Sequence, residues 1–107
     1  MGKGPRPKPK RLAEKLLRVR NALGLSQHEM HRRLGVENDI DYTTISKYEL
    51  GRNEPSLMTL LAYARVAGVH MEDLVDDDLD LPETLPGRIK YEGIKLSGVS
   101  RKNRRNR

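Results

Sequence analysis

Apolar residues recur at three- and four-residue steps in several short blocks of this chain. Leu12, Leu16, Val19 and Leu23 make the first stripe, which is the spacing of one helical face. Gly24 follows, and glycine closes a helix by taking a left-handed conformation without a Cβ penalty. The next block opens with Ser26-Gln27-His28-Glu29, a capping box in which the serine hydroxyl accepts from the Glu29 N–H and the glutamate accepts from the serine N–H. Met30 and Leu34 then face inward, and Gly35 ends this helix after roughly two turns. A helix that short is marginal alone and has to be held by its neighbours. Val36 to Asp41 is polar and acidic, with Asp41 the expected N-cap of a third helix over Tyr42 to Leu50 that turns Ile45 and Tyr48 or Glu49 inward. Gly51 stops it. Ser56, after Pro55, caps a fourth helix with an apolar face of Leu57, Leu60, Leu61, Ala64 and Ala67 before Gly68. Met71 to Val75 is a short fifth helix with acids in its first turn, where the helix dipole favours them.

The ends break this periodicity. Met1 to Lys10 alternates cations with glycine and proline and reads as an extended arm. Asp76, Asp77, Asp78 and Asp80 form an acidic run expected to be a solvated face, and prolines at 82 and 86 mark the expected end of the core. Residues 89 to 96, IKYEGIKL, alternate about Glu92-Gly93 as a short hairpin would, and such a hairpin needs something to pack on. The expected organisation is an arm over 1–11, a helical domain over 12–81 and a C-terminal extension over 82–107. The fold class is all-α. Two short helices joined through a glycine carry the signature of a helix-turn-helix, which other helical hairpins share.

Composition adds bounds. The chain has 107 residues, 36% of them hydrophobic, enough for one core and not for two. Without cysteine there are no disulfides or thiolate metal sites. No apolar run reaches the length of a membrane span and the N-terminus lacks the apolar stretch of a secretory signal, so a soluble cytoplasmic protein is expected.

The net charge of +6 is unevenly placed. Lys3, Arg6, Lys8, Lys10 and Arg11 have no acid among them, and Arg88, Lys90, Lys95, Arg101, Lys102, Arg104, Arg105 and Arg107 face only Glu92, which leaves the body acidic. Basic ends on an acidic body suit a polyanion, although on charge alone solubilising tails explain them equally well. Lys15, Arg18 and Arg20 read as the ordinary solvated face of the first helix.

The run LSQHEMHRRLGVENDIDYTTISKYELG from Leu25 to Gly51, followed by Arg52-Asn53-Glu54-Pro55-Ser56-Leu57, Leu60-Leu61 and the A-x-A-x-GV pattern before Val69, resembles the phage Cro and C1 repressor-like helix-turn-helix family, also called the XRE family. The likeness covers about residues 12 to 75. It implies a five-helix, lambda-repressor-like domain that binds double-stranded operator DNA, usually as a two-fold homodimer. Gln27 matches a glutamine that bonds phosphate or orients a base-reading partner. Tyr42, Thr43, Thr44, Ser46 and Lys47 match the opening of the recognition helix, with side chains able to donate, accept or touch a thymine methyl. Arg52 and Asn53 match a loop that grips the DNA backbone, and Tyr48 and Glu49 match structural positions. His70 falls where the family often has a helix N-cap. The stretch between Gly35 and Ile45 is longer than the family's usual spacing and acidic, so a tilted or lengthened recognition helix is expected there.

Other chemistry has less behind it. His28 and His31 lie one turn apart beside Glu29, but the capping box occupies the glutamate, no third ligand is evident and both imidazoles are expected to be solvated. The aspartate run lacks the glycine and final glutamate of a calcium loop. With no cysteine, phosphate loop or nucleophile arrangement, neither an enzyme nor a cofactor is expected. A transcriptional regulator is the leading reading. An antitoxin or protein-binding adaptor on the same fold, with a protein partner on the C-terminal extension, is the alternative. Nonspecific nucleic-acid binding is disfavoured because the four aromatics, all tyrosine, offer no stacking platform.

Overall fold

The structure, a computed structural model, describes residues 8–87; the hairpin expected over 89 to 96 lies outside them. In the described residues the chain forms five helices, α1 (Leu12–Leu23), α2 (Gln27–Leu34), α3 (Thr43–Glu49), α4 (Leu57–Ala67) and α5 (Met71–Val75). The helix α1 runs through the middle of the bundle and packs against α3, α4 and α5, while α2 packs against α3 and α4. Its stripe of Leu12, Leu16, Val19 and Leu23 is buried, and Met30, Leu34, Ile45, Tyr48, Leu60, Tyr63 and Leu74 meet it from the other helices.

Local signals set the helix ends. Ser26 and Glu29 exchange both bonds of the capping box, 3.1 Å to the serine hydroxyl and 2.7 Å to the glutamate. The Ser56 hydroxyl accepts from the Thr59 N–H at 3.2 Å. His70 is the extended N-cap of α5, and its N–H donates to the Asp73 carboxylate at 3.0 Å. The cap expected at Asp41 lies one residue before the position that precedes α3, and the Asp41 carbonyl accepts from the Thr44 N–H at 2.9 Å. Tyr42 occupies the position before α3 with a helical backbone, and the Asp41 carboxylate instead accepts from the Thr43 hydroxyl.

The fourth helix buries Leu60, Ala64 and Ala67 of its expected face and leaves Leu57 and part of Leu61 outside. Leu57 is 70% exposed, and Tyr63, which is fully buried, joins Leu60, Ala64 and Ala67 on the inward stripe. Residue 57 is three before Leu60 and shares its stripe, but as the first residue of α4 it stands beyond the reach of the core, whereas residue 63 falls on the covered part of that stripe. Tyr63 meets Tyr48 edge to face at 6.5 Å, and burial pushes its phenol well above the usual tyrosine range.

Two groups of charges expected on the surface are structural. Lys15 is 1% exposed. It lies on the apolar stripe, between Leu12 and Val19, and its ammonium donates to the carbonyls of Asp73, Asp76 and Leu79 at 2.8, 2.8 and 2.7 Å. An ammonium has three donors, so all are used. Those carbonyls belong to the C-terminal end of α5 and the turn after it, where the helix dipole favours a cation.

The acidic run answers at the start of α1. The Asp77 carboxylate accepts from the backbone N–H groups of Lys10 and Arg11, both at 2.9 Å, so it caps a helix whose own N-cap residue makes no side-chain cap bond. The Arg11 guanidinium donates to the carbonyl of Asp77 at 2.9 Å and to the carboxylate of Asp80 at 2.7 Å. The run is therefore not simply a solvated face, because carboxylates beside unpaired helix N–H groups find stronger partners than water. The Lys10 and Arg11 N–H groups hold the Asp77 carboxyl below its ordinary range, and the Arg11 bond does the same for Asp80. Carboxyls with depressed folded values stabilise the fold above the ordinary aspartate range near pH ~3.9. That contribution disappears as pH falls through the lower folded values.

Packing continues past Leu81. Leu81, Leu85 and Gly87 are buried, and Gly87 lies so close to the end of α4 that a Cβ there would stand 1.9 Å from the Val66 carbonyl oxygen. Only glycine fits that approach.

Lys15→Met keeps most of the side-chain volume and abandons three carbonyls. A loss of about 3 kcal/mol or more is expected, read as a fall in the denaturant midpoint. An unchanged midpoint would mean that the α5 end is held by something else.

Candidate nucleic-acid interface

The third helix divides lengthwise into two stripes. Ile45 and Tyr48 are buried, and the Glu49 side chain is only 5% exposed. On the opposite stripe Thr43, Lys47 and Leu50 are exposed and Ser46 is half-buried. That is an i, i+3, i+4, i+7 series, so these four side chains leave the helix on one side. The helix is neither lengthened nor begun early by the long turn before it, since it starts at Thr43.

Buried charge fixes the orientation of that surface. Arg20, expected on the outside of α1, forms a two-pronged ion pair with Glu49, Nε to Oε2 at 2.6 Å and Nη2 to Oε1 at 3.0 Å. Its remaining nitrogen reaches the Leu25 carbonyl at 3.1 Å, at the entry to α2. The Gln27 amide also donates to Glu49 Oε1 at 3.1 Å. One carboxylate thus ties together α1, α2 and α3. The planar guanidinium matches a carboxylate with two parallel bonds, which fixes direction as well as distance.

The turn between α2 and α3 is held as well. His31 Nε2 donates to the Ile40 carbonyl at 2.6 Å, and the Val36 carbonyl accepts from the N–H groups of Asp39 and Ile40 at 2.9 and 3.0 Å. His31 is therefore engaged rather than solvated, because the turn brings a carbonyl within its reach. His28 stacks on Tyr42 with ring centroids 3.7 Å apart. Glu37, Asp39 and Asp41 remain exposed, and the Thr43 hydroxyl bond holds the Asp41 carboxyl below its usual range.

The residues expected to touch DNA fall into three places. Tyr42, Thr43, Ser46 and Lys47 share the outer face of the α3 entry. Gln27 is half-buried beside Glu49. Thr44, Arg52 and Asn53 line an open cavity of about 750 Å³ on the flank, together with Val36, Asp39 and Ile40. The backbone N–H groups of Arg52 and Asn53 return to the Lys47 carbonyl at 2.9 and 3.3 Å, which folds that loop against the end of α3. Two surface residues were not among those expected. Leu50 is 62% exposed on the same stripe as Thr43 and Lys47, a position the seven-residue step from Thr43 could have shown. His28 reaches Tyr42 across the turn, which no local spacing indicates.

A helix-turn-helix family model matches residues 16–74, from within α1 to within α5. The chain belongs to the XRE family of Cro/C1-type helix-turn-helix proteins. No curated protein and no solved structure matches it at significant similarity. The XRE-family domain is a DNA-binding regulatory domain, and the all-helical, five-helix arrangement agrees with that assignment. Among the described residues, no helix of this XRE-family domain is long and apolar enough to cross a membrane.

In this domain Glu49→Ala leaves the partly buried Arg20 with only the Leu25 carbonyl and releases Gln27. A loss of about 1.5 to 3 kcal/mol is expected, measured by chemical unfolding. The double replacement Arg20→Met with Glu49→Leu is expected to be more stable than Glu49→Ala alone. Equal stability of Glu49→Ala and the parent would show that the pair does not organise the surface.

Proposed function

We propose that this chain is a sequence-specific transcriptional regulator that reads operator DNA in the major groove through α2 and α3. The observation that carries the reading is the outward stripe of Thr43, Ser46, Lys47 and Leu50 on a helix whose opposite side is locked by Ile45, Tyr48 and Glu49. A surface helix that presents short polar side chains, a lysine and an apolar end is suited to base edges.

Each side chain has a chemical part in this reading. Lys47 donates to guanine O6/N7 or to a phosphate, and Ser46 donates or accepts at a base edge. The Thr43 hydroxyl is donated to Asp41, so Thr43 offers its lone pairs and its methyl group. Tyr42 meets the groove where α3 begins, and Thr44 lies toward the flank. The amide of Gln27 is aimed by Glu49, and Arg52 and Asn53 hold the DNA backbone from the following loop. A two-fold dimer would place two such units on a palindromic site about one helical turn apart. The domain organisation that fits is a basic arm, a helical body continued through Gly87, which packs against α4, and a basic extension, and the cations of the arm and the extension suit phosphates.

A second reading, an antitoxin or protein-binding adaptor built on the same fold, is favoured by Leu57 and Met58. They are 70% and 68% exposed and adjacent at the start of α4, where a protein partner would bury them.

Selection of bound sites from a random duplex library with the full chain tests the operator reading. A preferred palindromic site is expected. Lys47→Ala should lower affinity for it by about 1 to 3 kcal/mol if the lysine reads a base, or reduce the salt slope by roughly one if it meets a phosphate. Equal affinity and equal salt dependence on selected and random duplexes would rule out specific regulation.

A further inference from the structure

We infer that His28 is a positioning residue for DNA reading: its imidazole, stacked on Tyr42, fixes the tyrosine ring at the entry of α3 so that the two rings work as one specificity-determining unit. This rests on the operator reading above and assigns it a residue outside the set that the sequence indicates.

The geometry is direct. His28 is the second residue of α2 and Tyr42 immediately precedes α3. Their centroids are 3.7 Å apart and their planes differ by 23°. Both residues are exposed, Tyr42 at 38%, so the stack bridges the two helices on the outside of the turn. One helical step further along α2, His31 holds the same turn through the Ile40 carbonyl. Residues 28 and 31 lie on one face of α2, and together they fasten the long connection at two levels.

An exposed tyrosine at a helix entry would otherwise sample several rotamers and lose that freedom on contact with DNA. The stack removes the loss in advance, and a rigid aromatic contact discriminates better than a mobile one. Charge argues that the stacked pair meets a base edge rather than a phosphate. The carboxylates of Asp39 and Asp41 are exposed on the turn that the stack spans, and they repel phosphate oxygens while tolerating the amino groups of cytosine and adenine. Arg32, exposed on α2, supplies cationic character that does not depend on His28. The contribution of His28 is therefore its flat ring and not a positive charge.

Site selection and affinity measurements with the full chain carrying His28→Ala, His28→Phe or His28→Lys test this. His28→Ala is expected to lose about three- to tenfold in affinity for the selected site, to relax the preference at one base pair in each half-site, and to keep its affinity for random duplex. His28→Phe restores both affinity and preference, and Tyr42→Ala with His28→Ala is no worse than Tyr42→Ala alone. The stack also fastens the turn, so His28→Ala is expected to melt slightly below the parent and His28→Phe at the parent temperature, and affinities are compared where every variant is folded. If His28→Ala selects the same site with parental affinity, the inference is wrong. It is also wrong if His28→Lys restores binding and His28→Phe does not, because the residue would then be a phosphate contact. A parent chain with no preferred site at all would instead remove the operator reading, and this inference with it.

Discussion

The Arg20–Glu49 ion pair is the interaction on which the outward face of α3 depends. Glu49 lies on the inner stripe of α3, so whatever holds its carboxylate sets the rotation of the outer stripe. Arg20 holds it with two bonds from α1, and Gln27 adds a third from α2. A buried ion pair gains little net stability over well-packed apolar residues, since both ions lose their water. Its effect is directional. Leucine at both positions could fill the space, but it would not fix the rotation of α3 in the way a planar guanidinium facing a carboxylate does.

A second set of bonds holds the scaffold to that surface. Lys15 of α1 caps the end of α5, and Asp77, after α5, caps the beginning of α1. The two ends complete each other. Without that exchange α5, five residues long, would have too few internal bonds to persist. The segment through Leu85 and Gly87 then closes against α4. Charges that the sequence pattern alone assigns to solvent thus bind the first and last helices together, and α1 packs against α3.

Much of this was legible in the sequence because it is local. The stripe from Leu12 to Leu23, the Ser26 box, the Ser56 cap and the glycines after α1, α2 and α4 each lie within a turn or two of the feature they control. After Asp41 the helix begins one residue later than its spacing suggests, and the carboxylate accepts from the Thr43 hydroxyl. Lys15 was misread even though its spacing from Leu12 and Val19 put it on the buried stripe. A charged residue there needs partners, and those partners are some sixty residues away. Arg11 with Asp77 and Gly87 against Val66 are hidden for the same reason. At the surface, the outward set on α3 follows once Ile45 and Tyr48 are known to face inward. The stack of His28 on Tyr42 crosses a turn whose length and acidity no simple periodicity describes.

The helices α2 and α3 share one outward surface that α1 and the rest of the described chain hold in place, and it is the surface proposed to meet DNA. Backbone amide shifts of the full-length chain, followed by NMR during titration with its selected duplex, test this most directly. The largest changes are expected on Gln27, His28, Tyr42, Thr43, Ser46 and Lys47, with α5 little affected. Changes concentrated on α4 and α5, with the α3 stripe unmoved, would contradict it.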